Sequence, residues 1–173
     1  MKKLLLLSFL MVSAWVGQAQ KFAYVDSDYI MKQIPEFQEA QQQLEELSKQ
    51  WQKEIERRYK EIEEMYKSYQ AESVLLTEEM KQQREEAIVA KEQEAQAFQK
   101  EKFGVGGALF QKRQELVQPI QDKVYEALKE VSSSSGYDFI FDKSAQSGIL
   151  FADDKYDKSD LVLRKMGVKI GIN

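Results

Sequence analysis

The sequence predicts an α+β chain: a small body with three strands, and a long antiparallel coiled-coil hairpin inserted between strands one and two. Three observations predict it. Strand-like apolar segments lie only near the two ends, at residues 21–26, 137–142 and 148–152. Residues 36–71 contain no Gly or Pro and carry one apolar stripe at helical spacing. A second helical segment, residues 78–103, follows within a few residues, as a return helix must.

The chain opens with Lys2-Lys3, an apolar run from Leu4 to Val12, and small residues ending in Gly17-Gln18-Ala19. That layout is a secretory leader, with cleavage expected after Ala19. The apolar run is short for a bilayer span, and no basic stop-transfer cluster follows it, so an uncleaved anchor is the weaker reading. No second apolar run appears, and the mature chain is expected to be exported and soluble.

Lys21-Phe22-Ala23-Tyr24-Val25-Asp26 reads as a strand with two apolar faces, as in a strand buried on both sides. Ser27 or Asp28 is expected to cap a short helix through Ile30, Met31 and Ile34. Pro35 disfavours helix at Ile34 and suits the first turn of the next helix. That helix carries Leu44, Leu47, Trp51, Ile55, Tyr59, Ile62, Tyr66 and Tyr69. The gaps are 3, 4, 4, 4, 3, 4 and 3, near 3.6 residues per turn. A long isolated helix cannot cover such a stripe, which points to a coiled-coil partner. Residues 71–77 are read as the tip. Thr77-Glu78-Glu79 starts the return helix, with a hydroxyl cap and acids in the positive first turn.

Gly104, Gly106 and Gly107 interrupt the return helix. They are candidate hinge residues, weighed against a simple helix break. Helix resumes from Ala108 to about Val131, with Pro119 predicting a kink or restart. Tyr137–Asp142 and Gly148–Ala152 read as strands two and three, joined by the polar loop 143–147 as a β-hairpin. Ser159 or Asp160 is expected to cap a last helix closed by Gly167. The expected organisation is a leader at 1–19, a body at 20–35 and 108–173, and a hairpin arm at 36–107.

Composition removes several functions. The chain has no Cys and no His, which excludes nucleophile–imidazole dyads and His- or Cys-based zinc sites. The glutamates lie along exposed helices as solvated faces and i,i+4 partners of basic residues, not in a shielded pocket, so no enzyme is read here. Asp153, Asp154 and Asp157 lack the glycine and distal glutamate of a calcium loop and read as a turn. No metal or cofactor site is expected. The glycine stretch lacks the spacing of a phosphate-binding loop. Without Lys2 and Lys3 the chain carries 23 basic and 29 acidic residues, a net charge of −6. Such a chain is poorly suited to nucleic acid.

The wording of the sequence resembles the Skp/OmpH family of periplasmic chaperones. Phe22-Ala23-Tyr24-Val25-Asp26-Ser27 is similar to the family's first strand and turn. Leu109 to Leu116, with Pro119 to Val124, is similar to its descending helix. Tyr137 to Asp142, Leu150 to Asp153 and Ser159 to Leu163 are similar to its second strand, third strand and last helix. The resemblance covers essentially the whole mature chain. It implies a homotrimer that pools its strands into one β core, with three arms around a cavity that holds unfolded outer-membrane proteins without ATP. Three short strands have too little core alone, and pooling them removes exposed edges.

On that reading Phe22, Tyr24, Val25, Phe139, Phe141, Ile149 and Phe151 form the trimer core. Trp51, Tyr59, Tyr66, Tyr69, Val74, Leu75, Leu76 and Phe98 are candidate client contacts. For any single ring in the stripe, packing of the seam is the favoured reading. Tyr66, Tyr69, Val74, Leu75 and Leu76, near the tip, are the best contact candidates, because exposed apolar patches mark interaction sites. One departure is charge. Residues 36–71 hold nine Glu against six Lys+Arg, and 78–103 seven against five, whereas the best-known members are basic. Apolar and aromatic capture is therefore expected to dominate, and lipopolysaccharide binding finds no basic motif. The rival reading is a structural or adaptor coiled coil of the cell envelope.

Overall fold

A computed structural model describes residues 20–144 and 148–169. The expected leader, 1–19, and residues 145–147 of the 143–147 loop lie outside the described residues. The chain divides into two compact units. One joins the described residues up to Gln33 with those from Val124 onward, and the other is Ile34–Lys123.

The first unit is built on two strands, β1 (Phe22–Val25) and β2 (Phe139–Asp142). They pair in parallel, with Phe22 opposite Phe139 and Val25 opposite Asp142. Parallel neighbours need a long crossover, which residues 26–138 provide. The expectation of three strands is corrected here. Residues 148–152 form no strand, and β2 makes no hairpin with them. The other edge of β1 is met by the later turn, where Tyr24 bridges Asp157 and the Lys158 N–H donates to the Tyr24 carbonyl at 2.9 Å. The outer edge of β2 carries no strand among the described residues, and residues 148–152 do not pair with it.

Helix α1 (Ser27–Gln33) follows β1. Its cap is Asp26, whose carboxylate accepts from Tyr29 N–H at 2.8 Å, not the expected Ser27 or Asp28. Ser27 and its N–H instead donate to Asp142, tying the end of β1 to the end of β2. The last helix, which also belongs to this unit, is Ser159–Lys165. It lacks the expected Ser159 or Asp160 side-chain cap. Ser159, almost fully buried, accepts from Asp26 N–H and donates to Asp157. Ile30, Val162 and Leu163 are fully buried where α1 and this helix pack together. Gly167, at φ +77°, closes the helix as expected, with Val168 N–H reaching back to Leu163.

The second unit is helical. Helix α2 (Pro35–Glu72) begins at Pro35 behind an extended Ile34, and its 38 residues span about 57 Å. A single 3-10 turn (Ser73–Leu75) leads to Thr77, which caps α3 (Glu78–Phe103) by accepting from Met80 N–H at 3.3 Å. α2 and α3 pack as an antiparallel pair around Ile62, Ile88 and Ala95, with Met65 and Tyr69 against them. After the glycine turn comes α4 (Ala108–Ser135), making the last helix α5. α4 passes through Pro119 without the expected restart. Pro119 and Glu115 are both exposed, so the carbonyl that loses its partner lies on the exposed side of the helix. The buried residues of α4 are Ile120 in this unit and, past Lys123, Val124, Ala127 and Val131 in the first unit.

Candidate interaction surfaces

In the hairpin, the contacts across the seam share one register: facing residue numbers sum to between 153 and 158. Tyr59 donates to Gln99, Tyr66 to Glu92 at 3.1 Å, and Tyr69 to Glu85. Trp51 meets the edge of Phe103 at 6.1 Å. The Arg58 guanidinium lies 4.5 Å from the centre of the Phe98 ring. Lys102 is shared between Phe98 and Trp51, at 5.2 and 5.4 Å. The tyrosines bridge the helices through their hydroxyls while their rings stay at the rim, with Tyr59 and Tyr66 exposed. Hydrogen bonding to Glu92 and Glu85 raises the pKa of Tyr66 and Tyr69 respectively. A carboxylate acceptor favours the neutral phenol.

The seam rings therefore contact the partner helix and cations, and Trp51, Tyr69 and Phe98 are half-buried there. Phe103 and Lys102 were not singled out in the sequence. Phe103 continues the register opposite Trp51, and that pairing is the signal that would have found it. The tip differs. Val74 is 88% and Leu75 83% exposed, while Leu76 is half-buried.

The glycine turn is closely specified. A Cβ on Gly104 would lie 2.3 Å from the Lys100 carbonyl oxygen, which accepts the Gly104 N–H at 2.8 Å. Gly106 has φ +70°, and Gly107 N–H closes back on the Gly104 carbonyl at 2.8 Å. Val105 between them is fully exposed.

On the β unit, one sheet face collects three phenylalanines. Strand alternation places Phe139 and Phe141 on the same face as Phe22. Their rings stack at 5.9 Å for Phe22–Phe139, 6.3 Å for Phe22–Phe141 and 6.4 Å for Phe139–Phe141. All three remain about half exposed. Beside them runs an apolar groove of about 380 Å³ between Phe22, Tyr24, Phe141, Ile149, Phe151 and Tyr156. Tyr24 and Val25 are buried within the single chain. Phe151 is 89% and Leu150 99% exposed. Leu150 and Tyr156 were missed in the sequence. Leu150 was legible as part of the apolar run 148–152, but its exposure was not. Burial, followed by Asp157, Asp154 and Asp153, raises the pKa of Tyr24, whose hydroxyl has no well-formed hydrogen bond.

The acids of the 153–157 turn serve the backbone. Asp153 accepts from Lys155 N–H, and Asp157 from Ser159. Among the described residues no group of acidic side chains is gathered to hold a metal, and no helix is long and apolar enough to cross a membrane.

Residues 21–166 match the family described as outer membrane protein, OmpH-like. A solved structure from Caulobacter crescentus CB15, provisionally described as an OmpH-like outer membrane chaperone, is similar with a TM-score of 0.69. The two share 12% identity over 89% of this chain and 88% of that one, so the likeness is one of fold. No curated protein matches the chain at a significant level.

Proposed function

The chain belongs to the OmpH-like outer membrane protein family, and from that premise we propose that it is an ATP-independent periplasmic holdase that assembles as a homotrimer and shelters unfolded outer-membrane proteins between its helical arms. The observation that carries the proposal is the apolar surface of the β unit. A lone chain leaves Phe22, Phe139 and Phe141 half in water and Leu150 and Phe151 almost wholly so. Fully burying one such side chain is worth about 1.5–3 kcal/mol, so this face favours assembly strongly. Residues 148–152 supply an unpaired apolar segment beside it, suited to pairing with an edge on another copy. Self-association of three copies would cover both features at once.

The hairpin supports the holding role. Its seam is closed by polar bridges and cation–ring contacts, which leave apolar residues at its rim and tip. Release without a nucleotide would follow from competition by downstream folding. The test is dilution of a urea-unfolded outer-membrane β-barrel into the mature protein. Aggregation suppressed at one trimer per client is expected, and unsuppressed aggregation refutes the holdase. Sedimentation velocity tests the trimer.

The second reading, a tether between envelope components, is favoured by the polar outer surface of α3, where Val89 and Met80 are the exposed large apolar side chains. Pull-down of one folded partner, in place of many unfolded ones, would support it.

A further inference from the structure

The tip of the hairpin carries a combination found on neither helix alone. Val74 and Leu75 are neighbours in a single 3-10 turn, and both are more than four-fifths exposed. Met80, in the first turn of α3, adds a third exposed apolar side chain. Around this apex the charge is one-sided. Residues 63–86 contain seven acids, Glu63, Glu64, Glu72, Glu78, Glu79, Glu85 and Glu86, against Lys67, Lys81 and Arg84, a net of −4. From residue 20 onward the chain totals −6, so two-thirds of its net charge lies in these 24 positions.

The three bases there are already committed to acids of the same hairpin: Lys67 to Glu63, Lys81 to Glu78 and Arg84 to Glu72. An apolar apex in a negative collar is complementary to an aliphatic segment flanked by positive charge. It is mismatched to an acidic segment or to an anionic lipid surface, since like charges brought together oppose binding.

We propose that the apex Val74–Leu75, with Glu78 and Glu79 beside it, is a docking point for a cationic apolar polypeptide segment: aliphatic residues flanked by Lys or Arg, presented by an unfolded chain. The inference rests on the holdase reading and adds the chemistry of the segment taken first. Long-range attraction to the collar raises the encounter rate with such segments, and the exposed aliphatic pair supplies the contact that holds them.

The test uses the full mature protein and fluorescein-labelled short peptides with one leucine–valine core, flanked either by lysines or by glutamates, read by anisotropy. The Lys-flanked peptide is expected to bind at least about tenfold tighter, and the preference to fade as salt rises from about 0.05 to about 0.5 M. Val74→Ser with Leu75→Ser should weaken it about tenfold or more. Glu78→Gln with Glu79→Gln should weaken it about fourfold, a factor near two per exposed charge pair. The Gln pair keeps Thr77 and its cap, and circular dichroism checks that α3 is intact.

Equal binding of the two peptides overturns the proposal, as does binding unchanged in both double variants. Capture of the apex by neutral phosphatidylcholine vesicles, with the Lys-flanked peptide unbound, also overturns it and assigns the apex to lipid. The β-barrel aggregation assay separates the two levels. Suppression retained while the peptide fails to bind sinks only the docking point, whereas peptide binding without suppression sinks the holdase.

Discussion

Replacing Phe139 with Asp separates a ring that holds the fold from a ring that holds the assembly. In the single chain Phe139 is 51% exposed and stacks on Phe22 and Phe141. Aspartate there forfeits about half of a phenylalanine's burial, about 1–1.5 kcal/mol, plus about 1 kcal/mol of ring contact. The isolated unit should lose roughly 2–2.5 kcal/mol and stay folded. In a trimer that buries this face, the carboxylate must be stripped of water at several kcal/mol per copy. Over three copies the association loses on the order of 10 kcal/mol, a factor of roughly 10⁷ at about 1.4 kcal/mol per tenfold. Sedimentation velocity at micromolar protein should find a monomer, and circular dichroism should find the helical signal retained. A trimer mass unchanged by F139D would refute the assembly face. A monomer that has also lost its helical signal would show that the ring belongs to the chain's own core.

Three further outcomes follow from named contacts. Ile88→Ala removes a buried side chain from the seam and should cost about 2–5 kcal/mol, lowering the thermal midpoint of the helical signal; an unchanged midpoint contradicts the register. Gly104→Ala forces a methyl against the Lys100 carbonyl and should cost about 1–3 kcal/mol in urea unfolding, while Val105→Ala, at an exposed position, should be neutral. Equal costs for the two would remove the steric argument. Hydrogen bonds from Arg57, aided by Arg58, hold Glu54 down to about 2 from an ordinary 4.5. A depressed carboxylate contributes stability fully above its unfolded pKa and loses it as pH falls through the folded one. Between about pH 4.5 and 2 the wild-type hairpin should therefore lose stability that Glu54→Gln does not, as measured by thermal melts across that window.

The elements legible in the amino-acid order are those that a few neighbouring residues decide. The stripe from Leu44 to Tyr69, Pro35 at the start of α2, the Thr77 cap and the Gly167 stop are local features. Each acts over one or two helical turns, so the hairpin and its tip were legible. The exposure of Val74 and Leu75 was legible too, since a turn between two antiparallel helices has nothing over it.

The features that were not legible there depend on residues far apart in the chain. The identity of the α1 cap turned on Asp142 claiming Ser27 across 115 positions. The parallel pairing of Phe22 with Phe139 cannot be read from either segment, because both look the same paired in either direction. Residues 148–152 have the apolar composition of a strand, but composition alone does not pair a strand: the segment bonds to neither strand, although the outer edge of β2 carries no strand among the described residues. Hydrogen-bonded edges and covered faces are properties of partners, and partners are set by the whole fold.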